Sequence, residues 1–149
     1  MQQQFDKTER QAWLGLLARA PLDALEQWAG QGVPLHTWLR RPETGLVMVR
    51  GRAGASAERF NLGEMTLTRC ALRLDSGEAG VAYVQGRSAR KAELAALADG
   101  MLQCPSRSAQ VQSELIEPLR AAHLQRQQVR QTQTQATRVD FFTLVRGAG

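Results

Sequence analysis

Three features of the 149-residue sequence predict an α+β fold. Apolar residues at helical spacing open the chain, three β-prone segments separated by glycine-containing turns occupy its middle, and Ala-, Leu- and Gln-rich helical sequence follows. They predict a small antiparallel β-meander of three strands, or four if the C-terminus joins it, with an N-terminal helical hairpin and C-terminal helices. One domain over 1–149 is expected, with the hairpin at about 6–41, the meander at about 45–87, helices at about 88–136 and an apolar strand or arm at about 137–147. A chain of this length can bury a core without disulfide or metal staples.

In the first segment, Asp6 with Glu9 three residues later marks a helix start, and Trp13, Leu16, Leu17 and Ala20 fall on one face of a helix from about Lys7 to Arg19. Pro21 suits a first helical position, Leu22, Leu25 and Trp28 continue a shorter helix, and Gly30 stops it. Trp13, Trp28 and Trp38 are read as packing residues rather than an adenine platform. Leu35 to Arg41 reads as one further helical turn ended by Pro42. His36 lies there, far in sequence from His123, so no histidine pair has metal-ligand spacing, and both read as solvent-side residues.

Gly45 to Arg52 is Val-rich and reads as the first strand. The small-residue connection from Gly51 to Arg59 is a loop able to wrap an anion with backbone amides, although it lacks the Gly-Lys-Ser or Gly-Lys-Thr ending of a P-loop. From Glu64 onward strict alternation sets Glu64, Thr66, Thr68, Cys70, Leu72 and Leu74 on one face and Met65, Leu67, Arg69, Ala71 and Arg73 on the other. Arg69 beside Met65 and Leu67 calls for an anion, an interface or a ligand. Asp75 to Gly80 is a turn, and Val81 to Gln85 returns as the third strand.

Ser88 begins a helix through Leu94, Leu97, Ala98 and Met101, and Cys104-Pro105-Ser106 breaks it. Gly86 and Arg87, just before that helix start, are placed to meet an anion at its free amides. A helical run follows through Val111, Leu115, Leu119 and Ala122, with Pro118 predicting a kink or a restart. Gln125 to Gln135 is either exposed helix or without fixed order. Arg126 and Arg130 share one face of it, read as solvated surface. Val139 to Val145 is apolar and β-prone, and predicts either a fourth strand or an arm docked on another subunit.

No apolar run reaches membrane-spanning length and the first twenty residues lack the pattern of a secretory leader, so a cytoplasmic protein is expected. Cys70 and Cys104 have no Cys-x-x-Cys spacing and read as reduced structural thiols. Seventeen Arg against two Lys build the formal charge of +5. That bias suits ion-paired interfaces or polyphosphate ligands, or reflects base composition.

Phe60-Asn61-Leu62-Gly63-Glu64, followed by Thr66, Thr68, Arg69 and Cys70, resembles the PhnG family of the bacterial carbon-phosphorus lyase system. Arg41-Pro42-Glu43 with Gly45 to Arg52, Tyr83 to Arg87, and Thr137 to Gly147 are similar to the same family in the same order, so the resemblance spans most of the chain. It implies an accessory subunit that works with PhnH, PhnI and PhnL to form α-D-ribose 1-methylphosphonate 5-triphosphate from ATP and an alkylphosphonate. It further implies a core complex with PhnH, PhnI and PhnJ, to which PhnK binds. ATP would be used by the complex and no cofactor held by this chain.

The residues themselves supply no catalytic set, no metal ligands and no complete nucleotide motif. Arg50, Arg52, Arg69 and Arg87 are the candidate phosphate-binding or interface arginines, with Glu64 and Asp140 as their ion-pair partners and Phe141 and Phe142 as interface residues. A homodimer of the isolated chain, formed by exchange of its tail, is left open by the sequence. A small basic nucleic-acid binder is the alternative class, without a recognition-helix or aromatic-platform motif to support it.

Overall fold

The structure, a computed structural model, describes residues 7–54 and 56–137. Helix α1 (Lys7–Arg19) carries Glu9 in its first turn and Arg19 in its last, the charge order that the helix dipole favours. Its buried residues are Trp13 and Leu17. Helix α2 (Leu22–Ala29) follows Pro21, whose φ of −66° and ψ of 144° set the corner between the two helices, and it buries Leu25 and Trp28. Gly30 closes it by donating its amide to the Glu26 carbonyl at 2.9 Å. Asp6 lies outside the described residues.

Strands β1 (His36–Arg52), β2 (Arg59–Leu74) and β3 (Ala79–Gln85) form an antiparallel sheet in the order β1-β2-β3. The helical turn expected over Leu35 to Arg41 is instead the first part of β1, which makes the first strand nine residues longer than its Val-rich half suggests. Two register shifts, between Trp38 and Arg40 and between Arg40 and Glu43, absorb Pro42. An edge strand tolerates proline at such irregularities because its missing N–H leaves no ladder bond unmade. His36 also departs from the expected solvent-side position: it is half-buried, its Nε2 is 3.6 Å from Glu93 Oε1, and its ring meets Trp38 edge-on at 5.1 Å.

The alternation of β2 is realised as read. Thr68, Cys70, Leu72 and Leu74 are buried, while Arg69 and Arg73 on the other face are exposed. The β2–β3 turn places Gly77 at φ 104°, where glycine is favoured, and Leu74 donates its amide to the Glu78 carbonyl at 2.9 Å.

Helix α3 (Ala89–Gln103) is the centre of the core, buried without interruption from Leu94 to Leu102. Helices buried on all sides lose the amphipathic stripe, and this one lies between the sheet and helices α1 and α2. Ser88 caps it by accepting the Lys91 amide at 3.1 Å. Small residues let it approach β3 closely: a Cβ on Gly80 would come 1.9 Å from the Ala96 carbonyl oxygen.

Asp99 of α3 is fully buried, and donors from four places converge on it. Arg10 donates from Nε at 3.2 Å and from a terminal nitrogen at 2.7 Å, and Trp13 Nε1 at 2.9 Å. The Val81 amide donates at 3.0 Å and Gln103 Nε2 at 3.3 Å. The carboxylate thus ties α1, α3 and β3 together.

After Cys104 the chain continues as α4 (Ser108–Val111), a π-helical turn over Gln112–Ile116 and α5 (Glu117–Ala136), with Pro118 in the first turn of α5. A proline clashes with the carbonyl four residues before it, here that of Glu114, and the widened π turn makes room. Beyond Leu119, α5 has no buried residue, so the Gln-rich stretch is exposed helix.

Two outcomes are expected. Asp99→Ala leaves the Arg10, Trp13 and Val81 donors without their acceptor and lowers stability in urea by about 3–5 kcal/mol; a loss within the roughly 0.5 kcal/mol typical of surface changes contradicts the linking role. Cys70, whose thiol burial and the nearby Glu93 carboxylate push up to about 12, reacts with a thiol reagent at pH 8 only as urea unfolds the chain, and rapid labelling of the native protein contradicts that placement.

Candidate functional site

Helix α3 covers one face of the sheet, and the side chains of the opposite face meet solvent. Alternation along β2 directs Arg69 to that open face, and the register places it opposite Glu43 of β1 and Tyr83 of β3. Arg69 Nε donates to Glu43 Oε1 at 2.9 Å, and Arg40 Nη1 donates to the same oxygen at 2.5 Å. These bonds, Arg40's first and then Arg69's, hold the Glu43 carboxyl below its ordinary range. Glu43, Thr44, Leu67, Arg69 and Tyr83 line a shallow concavity of about 340 Å³.

The pairing of two guanidinium groups on one carboxylate oxygen leaves donors on both arginines directed elsewhere. Together with the half-buried Leu67 and the exposed Tyr83, the arrangement can hold a carboxylate or phosphate beside an apolar contact. Beneath it, on the helix side, Thr44 and Thr68 share a 2.9 Å hydrogen bond, and Thr68 donates to the Gly86 carbonyl at 2.6 Å. That chain of bonds links β1 and β2 to the residue that follows β3 at the level of the concavity.

The arginines singled out in the sequence do not converge. Arg50 pairs in register with Asn61 and Arg52 with Arg59, at the far end of the β1–β2 ladder. Asn61 and Arg69 are eight residues apart on β2, about 25 Å along the strand. Arg87 is exposed at the junction of β3 and α3, next to the helix start that Ser88 caps. Glu64 stands opposite Met48 and, among the described residues, forms no ion pair with Arg69 or Arg87. Asp140, Phe141 and Phe142 lie outside the described residues. Sequence reasoning placed Arg69 correctly on a face with apolar neighbours but did not identify Glu43, Arg40 or Tyr83 as its company. Tyr83 was open to discovery through the hairpin register, whereas Glu43 was hidden by the two bulges in β1.

Other surfaces carry less chemistry. Pro21, Ala122, Arg126, Val129 and Arg130 line an open groove of about 630 Å³ beside α5. Among the described residues no group of three or more His, Cys, Asp or Glu side chains is placed to hold a metal ion, and no helix is long and apolar enough to cross a membrane. Trp13 and Trp28 belong to the core, and Trp38 packs against it.

The family model described as phosphonate metabolism protein PhnG matches residues 8–147. A protein of Rhizobium meliloti (strain 1021), named alpha-D-ribose 1-methylphosphonate 5-triphosphate synthase subunit PhnG, is 43% identical over 142 residues, covering 93% of this chain and 90% of that protein. With the family model matching nearly the whole chain and the relative covered over most of both lengths, the chain belongs to the PhnG family of phosphonate metabolism proteins.

Proposed function

We propose that this chain is an accessory subunit of the assembly that forms α-D-ribose 1-methylphosphonate 5-triphosphate from ATP and an alkylphosphonate, and that its own contribution is positional rather than catalytic. The family relationship motivates the reaction. The observation that carries the positional role is the open face of the sheet, where Val47, Leu67, Arg69 and Tyr83 meet solvent around the Arg40–Glu43–Arg69 cluster. Aromatic and arginine side chains set among apolar ones are the composition of protein interfaces.

In this reading the chain joins PhnH, PhnI and PhnJ in a core complex, with PhnK and PhnL as further partners of the same pathway in the cytoplasm. Formation of the product places a phosphonate oxygen on the ribose carbon as adenine leaves, so the sugar gains positive charge while the triphosphate must be held still. Arginine forks suit that holding. Because Arg50 and Arg52 lie about 25 Å and about 33 Å along the ladder from Arg69, they and Arg69 serve separate contacts. Arg69, fixed by Glu43, acts in docking against a neighbouring subunit. Cys70 has no nucleophilic part in this scheme, since burial keeps its thiol protonated.

Co-expression with PhnH, PhnI and PhnJ of the same organism, followed by size-exclusion chromatography with mass readout, tests the reading. The full chain is expected to enter a stable complex and a version ending at Ala136 to enter it poorly; a full-length chain that stays alone overturns the subunit role. Arg69→Met is expected to weaken assembly by about 1–2 kcal/mol, a loss of roughly five- to thirtyfold in affinity. Full assembly of Arg69→Met with lost turnover would instead assign Arg69 to the substrate.

A further inference from the structure

The β1–β2 ladder is longer than the sheet that supports it. The last β2–β3 pair is Leu67 with Gln85, yet β1 and β2 continue together from Leu46 and Thr66 out to Arg52 and Arg59. Seven residues of β1 therefore run beyond the third strand, about 23 Å of two-stranded ribbon. An isolated two-stranded hairpin is marginally stable in water and gains from a cover.

Its side chains are not those of a solvated hairpin. Leu46 is 61% exposed, Met48 53%, Phe60 47% and Leu62 63%. Register assigns Leu46 and Met48 to one face, and Val47 with its partner Met65 to the other, so both faces are apolar. A bulge between Val49 and Arg50 turns the outer part, with Gly63 at φ 154° opposite Val49. Leu62 lies over Gly51, where an added Cβ would come 2.3 Å from Leu62 Cδ1. None of the described residues among 48–64 belongs to the core.

Charge adds a second constraint. Residues 36–74, the two strands and their connection, hold seven arginines against three glutamates and no lysine or aspartate, a net of four positive charges out of the chain's formal +5. Arg50, Arg52 and Arg59 cluster at the outer end. A second copy of this chain facing the ribbon would set arginines against arginines. Nucleic acid would satisfy the arginines and leave Leu46, Met48, Phe60 and Leu62 in water.

We infer that the projecting β1–β2 ribbon is a docking prong that inserts into a cleft of a different polypeptide, one with apolar walls and an acidic rim. Apolar residues on both faces require a cleft rather than a flat surface, and the net positive charge of the two strands favours carboxylates around the outer end. The inference rests on the subunit reading and assigns the element that makes the contact.

The test uses the co-expression and chromatography described above, with three variants of the full chain. In the first, residues 48–64 are replaced by Asn-Gly; Val47 and Met65 are already cross-strand partners, so a two-residue turn can close the shortened hairpin. The second combines Leu46→Gln with Met48→Gln, and the third Arg50→Glu with Arg59→Glu. The two substituted proteins are expected to keep the wild-type circular dichroism spectrum and the shortened chain its helical signal; all three are expected to melt within about 4 °C of wild type, and to be recovered in the complex at least tenfold less than wild type. Normal recovery of the Leu46→Gln, Met48→Gln protein overturns the prong, whatever the shortened chain does. Normal recovery of the Arg50→Glu, Arg59→Glu protein overturns the acidic rim. A wild-type homodimer that shortening converts to a monomer would make a second copy the occupant and overturns the inference as well. If wild type itself fails to join, the subunit reading falls and the prong with it; if wild type joins and the variants do too, the prong alone falls.

Discussion

Asp99 sets the geometry on which the rest of the molecule depends. A carboxylate with no exposure needs hydrogen-bond donors on every side, and here they come from Arg10 and Trp13 of α1, Val81 of β3 and Gln103 one turn further along α3. The donors come from α1, from β3 and from α3 itself, so the position of α1 and the position of α3 on the sheet are fixed by one group. Arg10 remains about one-third exposed, which lets the charge pair reach water at one end while Asp99 stays inside.

With α3 held there, the sheet becomes unequal on its two faces. Gly80 and the alanines of α3 allow the helix to lie directly on β3, and Leu72, Leu74, Ala82 and Val84 complete a close-packed interior. Nothing among the described residues covers the other face in the same way. The same asymmetry extends along the ladder, because β3 ends at Gln85 while β1 and β2 run on. An interior complete without the outer ribbon means that the exposed apolar residues of residues 46–66 do not serve the fold of the isolated chain.

The proposed positional role rests on this division. Helices and the inner sheet face account for stability, and the open face and ribbon carry the features of recognition: a carboxylate shared by two arginines, an exposed tyrosine, and leucines, methionine and phenylalanine bordered by positive charge. Such a surface suits a protein whose relative is named a synthase subunit. The buried, protonated Cys70 and the half-buried His36 with its Glu93 neighbour are structural by the same reasoning, since both face the packed side of the sheet.

The sequence by itself determined whatever depends on local periodicity. The first two helices, the alternation of β2, the Asp/Gly turn before β3, the Ser88 cap and the restart of helix at Pro118 were all legible, because each is set by residues within one turn or one strand of each other. Tertiary structure decided the rest. Leu35 to Arg41 carries no strand-like alternation because two bulges shift its register, and only pairing with β2 draws it into the sheet. The partner of Arg69 proved to be Glu43, twenty-six residues away, and the acceptor for Trp13 proved to be Asp99, eighty-six residues away. No spacing rule connects residues so distant in the chain. A lone aspartate in an Ala- and Leu-rich helix reads as surface until the donors that surround it are in place, because whether a polar group can be buried depends on partners that only the folded chain brings to it.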